Sequence, residues 1–181
     1  MGDETPPTSQ AEAVRIGELV ERIALLKRVL EASPPDGAYD PVLWYRFLSV
    51  IKLTQGNLSN DVSFVTCLLA KGFLAAHHRG VVFDAAAKAQ GAPGLDVDLR
   101  TPEGARIIAE IKTTDPYKPD DFGSQQKTKF REDFAKLNKH VADFKYLFVT
   151  EQRTYDILLR KYAPEIPGIR IVLLTEREGE P

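Results

Sequence analysis

The sequence predicts an α/β or α+β fold, and three observations predict it. Apolar residues recur at helical spacing through the first eighty positions. Short alternating and then continuous apolar runs follow between Leu95 and Thr175, the mark of half-buried and fully buried strands. A helix-period segment from Gln125 to Ala142 separates those runs. At 181 residues the chain suits one domain with a single substantial core.

In order, residues 1–10 are polar and carry Pro6-Pro7, which predicts a disordered tail. Residues 11–175 read as the domain, 11–80 helical and 81–175 the α/β core, and 176–181 as a charged tail. Ala11 to Ala32 is an amphipathic helix, serving either core packing or dimerisation. Ser33 to Gly37 breaks the chain. Asp40-Pro41 then offers an N-cap and an N1 proline for a second helix to about Leu53. Ser59 or Asn60 would cap a third, ending near His77 and His78, whose charge would complement the helix dipole. Val81 to Asp84 reads as a first strand or its approach. Leu95 to Leu99 and Ile107 to Lys112 are two strands joined by the turn Thr101-Pro102-Glu103-Gly104. Beyond the loop 115–124 come the helix from Gln125, a buried strand Phe144 to Thr150, a short helix Thr154 to Tyr162 and a last strand Ile169 to Thr175.

Composition narrows the function. Apolar residues make up 43% and charged ones 28%, and no run looks long enough to span a membrane. The single cysteine, Cys67, cannot form an internal disulfide, which points to a reducing cytoplasm. A net charge of −2 gives no global attraction to nucleic acid, so any phosphate-binding surface must be a local patch.

The chemistry concentrates in the hairpin. Asp96 and Asp98 leave one face of the first strand, and Glu110 and Lys112 leave one face of the second. Folding brings Asp96 or Asp98 level with Glu110 and sets Lys112 beside them. Two carboxylates and an ammonium suit a hard cation such as Mg²⁺ and a phosphate awaiting attack by water. Asp98, inside the strand proper, is the preferred ligand, with Asp96 the alternative. A solvated sheet carrying cross-strand ion pairs would use the same residues.

At these positions the chain resembles the PD-(D/E)XK nuclease superfamily, which contains many type II restriction endonucleases. The matching parts are Asp96 or Asp98 and Glu110-Ile111-Lys112, after the bend Gly91-Ala92-Pro93-Gly94, over roughly residues 81–150. The literal Pro-Asp pair is missing, since Gly94 and Leu95 intervene. The resemblance implies a restriction-endonuclease-like core, a mixed central sheet flanked by helices in αβββαβ order, here with extra N-terminal helices. It implies Mg²⁺-dependent hydrolysis of double-stranded DNA, with the Ile111 carbonyl completing the metal shell and Lys112 orienting the water. Gln125 and Gln126 would support water or phosphate. Lys118, Lys127, Lys129 and Arg131 are further candidates for DNA contact, and cutting both strands suggests a homodimer.

Three rivals share these residues. A repair or junction-resolving nuclease would use the same chemistry. A non-catalytic DNA-binding module should have lost an acidic group or the lysine, and none is missing. An Asp-X-Asp glycosyltransferase needs a nucleotide-binding αβ unit before the motif, where this chain is helical.

Overall fold

Five helices and one four-stranded sheet make up the computed structural model, which describes residues 6–32, 40–88 and 92–176. The expected break at Ser33 to Gly37, Gly91 of the bend and nearly all of the charged C-terminal tail lie outside the described residues. Contacts divide the chain into two compact units, Thr8–Val62 and Ser63–Pro181, the second also taking in Met1–Pro7. The boundary falls inside the third helix, where the expectation was one domain over 11–175.

In the first unit, α1 (Gln10–Glu31) starts from a capping box. Ser9 accepts from the Glu12 amide and the Glu12 side chain accepts from the Ser9 amide. Part of the expected disordered tail is therefore a helix start. Asp40 caps α2 (Pro41–Gln55) through the Val42 and Leu43 amides, with proline at N1 as the sequence predicts. The helices pack together, and an ion pair joins Arg22 of α1 to Asp61.

The third helix, α3 (Leu58–His77), is capped by Asn57 rather than by Ser59 or Asn60, since the Asn57 side chain accepts from the Asn60 amide. One stretch among the described residues, Pro41–His77, is long and apolar enough to cross a membrane by length and composition. It is not one continuous helix. Gly56, at φ 62°, ends α2 and turns the chain into α3.

The sheet belongs to the second unit. Its strands β1 (Val97–Arg100), β2 (Arg106–Lys112), β3 (Phe144–Val149) and β4 (Arg170–Leu173) lie in the order β1-β2-β3-β4. The first pair is antiparallel and the other two are parallel. The β1–β2 turn closes as its residues predict. Thr101 and Ala105 bond across it, and Gly104 takes φ 93°, a conformation natural only to glycine. Parallel neighbours need a crossover. Helix α4 (Ser124–Lys139) supplies it between β2 and β3, and α5 (Gln152–Ile157), widening to a π turn over Leu158–Tyr162, supplies it between β3 and β4.

Val81 to Asp84 forms no ladder, so the expected third strand before α4 is absent. The observed order in this part is αββαβαβ. The cause lies in its partners: Val81 is buried, but its amide bonds the His78 carbonyl in a turn leaving α3 rather than a strand.

The sheet is covered on both faces. Ile108, Leu147 and Val149 meet Phe130, Phe134 and Leu137 of α4 together with Ile157 and Leu158. On the other face, Val97, Ile107, Ala109, Tyr146 and Phe148 meet Ala70 and Leu74 of α3. Each of the larger side chains, valine, leucine, isoleucine and phenylalanine, contributes about 2 kcal/mol through burial. His78 is part of this core, where its Nε2 lies 2.8 Å from the Tyr146 hydroxyl. Burial holds its pKa below the ordinary value, so it does not supply the positive charge expected at the end of α3.

Candidate active site

The antiparallel register decides which aspartate meets Glu110. Asp98 pairs with Ile108 and Val97 with Ala109, so one step further sets Asp96 opposite Glu110. The ladder stops there because its bonds are diverted. The Lys88 ammonium bonds the Leu95 carbonyl, and the Ile111 amide donates to Asp96 Oδ2 at 2.8 Å. This orients the Asp96 carboxylate towards the Glu110 position.

Asp98 is elsewhere, which corrects the preferred assignment. It sits one pair back, exposed, in a bidentate ion pair with Arg106 at 2.9 and 2.7 Å. The Arg106 guanidinium holds its carboxyl below the usual range. Being inside the strand proper is what carries Asp98 away from Glu110. Ile111 turns its side chain to the opposite face of the sheet and contributes its amide to the arrangement.

Helix α4 completes the cluster with two residues that sequence reasoning left out of the site. Lys112 Nζ lies 2.6 Å from Asp133 Oδ2. The approach is off the hydrogen-bond direction, so this buried oxygen has an ion partner but accepts no hydrogen bond. Lys136 Nζ reaches Asp133 Oδ1 at 3.2 Å and Glu110 Oε1 at 3.4 Å. The available signal was position: Asp133 falls within the apolar stripe of Phe130, Phe134 and Leu137. A carboxylate there must enter the interior, and Lys136 follows one turn later.

Electrostatics follow from a count. Asp96, Glu110 and Asp133 supply three carboxyls, against two ammoniums from Lys112 and Lys136. Glu110 is only 1% exposed and is the carboxyl left over. Burial first, then the charges of Asp96 and Asp133, push its pKa up to about 8. The uncharged form of the Glu110 carboxyl is favoured accordingly. Asp96 and Glu110 are the two carboxyls that could offer oxygens to a cation; among the described residues no group of three acidic, histidine or cysteine side chains is gathered closely enough to hold one.

Of the cluster, Lys112 also lines a groove of about 810 Å³, whose wall further includes Thr113, Tyr117, Gln125, Gln126, Lys129 and Glu132. The loop from Asp115 to Gly123 bounds it and is held firmly. Gln126 donates to the Asp115 carbonyl at 2.7 Å and accepts from the Gly123 and Tyr117 amides. Tyr162 donates to Asp121 at 2.9 Å. Buried and bonded three times to the loop, Gln126 shapes it, and it also lines the groove.

The candidates for DNA contact on α4 divide between its two flanks. Gln125 and Lys129 stand on the groove side, Lys129 with Glu132 at 2.8 Å. Lys127 and Arg131 lie on the other flank, bound to Asp121 at 2.7 Å and Glu165 at 3.3 Å. Lys118 is exposed on the loop, apart from the residues lining the groove. Comparison with known protein families, with characterised proteins and with solved structures finds no match to this chain.

Proposed function

We propose that the protein is a Mg²⁺-dependent endonuclease acting on double-stranded DNA, of the type II restriction kind, working in the cytoplasm. The observation that carries this reading is the placement of Asp96 beside Glu110, with Lys112 one alternation further along the same strand face. Asp96 and Glu110 would hold the cation between them, with the Ile111 carbonyl as a further oxygen. When bound, Mg²⁺ supplies charge relief to the phosphate and a lowered pKa to its water.

The chain's own residues do the rest. Asp133 holds Lys112 at the rim of the cluster, where its ammonium can donate to the attacking water or to a non-bridging phosphate oxygen. Lys136 offsets charge on Glu110 while no cation is present. The groove leading past Gln125 and Lys129 would give the nucleic-acid backbone a path, with Lys112 and Lys129 as its cations beside Asp115 and Glu132. Hydrolysis then needs the water's oxygen to add to phosphorus, its proton to leave to solvent or a nearby base, and the 3′ oxygen to depart.

The test is incubation of supercoiled plasmid and phage DNA with the purified protein, with Mg²⁺ or with chelator. Discrete fragments in Mg²⁺ alone support a sequence-specific enzyme. A smear indicates a nonspecific nuclease, and intact DNA in every condition contradicts the proposal.

A further inference from the structure

The loop between β2 and α4 presents one aromatic ring that the catalytic reading does not use. Its backbone is pinned on both sides of Tyr117. The Tyr117 amide donates to the Gln126 side chain at 3.3 Å. The Arg153 guanidinium donates to the carbonyls of Pro116 and Lys118, at 3.5 and 3.2 Å. The ring itself lies along Gly123, where a Cβ would come within 3.3 Å of Tyr117 Cδ2. Yet Tyr117 is 82% exposed and lines the groove. The fold holds this ring in place and leaves it uncovered.

The groove, at about 810 Å³, is large enough for a small organic group. Its charges are already matched. Lys112 pairs with Asp133, Lys129 with Glu132 and Asp115 with Arg153. What remains to meet a ligand is neutral: the Tyr117 ring, the Gln125 amide and the Thr128 hydroxyl. The Gln125 side chain makes no hydrogen bond among the described residues. Thr128 Oγ1 donates to the Ser124 carbonyl at 3.1 Å and keeps lone pairs with which to accept. An aromatic face beside an amide and a hydroxyl suits a planar, uncharged group edged with donors and acceptors. A nucleobase is such a group.

We infer that this groove takes a nucleobase that has left its stack, with Tyr117 against its face and Gln125 and Thr128 at its edge. The inference rests on the nucleic-acid part of the proposed function and deepens it. Inside a duplex both faces of a base are covered by its neighbours. Tyr117 can therefore meet a face only where a base is unpaired or extruded. Lys112 lines the same groove, which puts that base close to the phosphate Lys112 would attend. A ring fixed before binding needs little further ordering, so stacking appears as affinity. A base that is already unpaired also spares the cost of extrusion.

Fluorescence anisotropy at low salt, in chelator and in Ca²⁺, tests it with three labelled duplexes. One is fully paired, one carries a single-nucleotide bulge, and one carries an abasic residue as the bulge. The two bulges share a backbone and differ in the base. The wild type should bind the bulged base about tenfold tighter than the abasic bulge. Tyr117→Ala should bring the two within about twofold, and Tyr117→Phe, which keeps the ring, should preserve the preference. Because Tyr117 is exposed and tied through its backbone, neither variant should move the melting temperature. No binding to any duplex, equal affinity for the two bulges, or a preference that survives Tyr117→Ala overturns the inference. None of these readouts uses cleavage. A protein that prefers the base yet leaves plasmid intact in Mg²⁺ refutes only the nuclease reading, and one that cuts without the preference refutes only the inference.

Discussion

The Asp96 carboxylate accepts a hydrogen bond from the Ile111 amide at 2.8 Å, across the end of the β1–β2 ladder. That bond fixes the side chain beside Glu110, while Asp98 is occupied by Arg106. Asp96→Asn should therefore lower Mg²⁺-dependent cleavage on the order of 100-fold, and Asp98→Asn by no more than about threefold. Initial rates at one fixed metal concentration compare them. The reverse ranking would move the site one pair along the hairpin.

The raised pKa of Glu110 makes stability depend on pH. Its carboxyl titrates near 4.5 when unfolded and at about 8 when folded without metal. Between these values the unfolded state has lost a proton that the folded state keeps, so stability falls as pH rises. The full effect is on the order of 5 kcal/mol. Melting temperatures in chelator should drop from pH 5 to pH 8, and Glu110→Gln should flatten that slope. Mg²⁺ should stabilise the wild type more at pH 8 than at pH 5, because it competes with the proton. Equal slopes for both proteins would remove Glu110 from this role.

The two flanks of α4 should behave differently towards duplex DNA. Lys129 stands at the groove and Lys127 is bound to Asp121 on the far side. Lys129→Glu should weaken duplex binding in Ca²⁺ and reduce the salt slope by about one unit. Lys127→Glu should leave affinity unchanged and lower stability by about 1 kcal/mol through repulsion with Asp121. Titrations at several salt concentrations separate the two.

The groove's loop depends on one aromatic anchor. Phe122 is 1% exposed and stacks on Phe130 at 4.4 Å, with Tyr162 at 5.4 Å. Phe122→Ala should lower unfolding free energy by about 3–5 kcal/mol. Denaturant titration reads this directly, and a loss below about 1 kcal/mol would mean the loop is held by its polar contacts alone.

The hairpin, its turn and the order of elements after it were legible because period-two alternation and turn chemistry are local properties. The choice between Asp96 and Asp98 was not. Both share a face, and the register depends on where Leu95 and Ile111 send their backbone bonds. Asp133 and Lys136 could not be assigned to the site because their partners come from β2, distant in sequence. Val81 to Asp84 read as a strand or its approach, yet a strand exists only where a neighbour completes its ladder.

Cleavage of supercoiled plasmid by wild type, Glu110→Gln and Lys112→Met, with and without Mg²⁺, tests the central claim most directly. Lys112→Met leaves Asp133 with Lys136 as its remaining cation, so the melting temperature of each variant is measured alongside. The account predicts cutting by the wild type in Mg²⁺ only, and none by either variant while folded. Full Mg²⁺-dependent activity in a folded Glu110→Gln or Lys112→Met protein would contradict it.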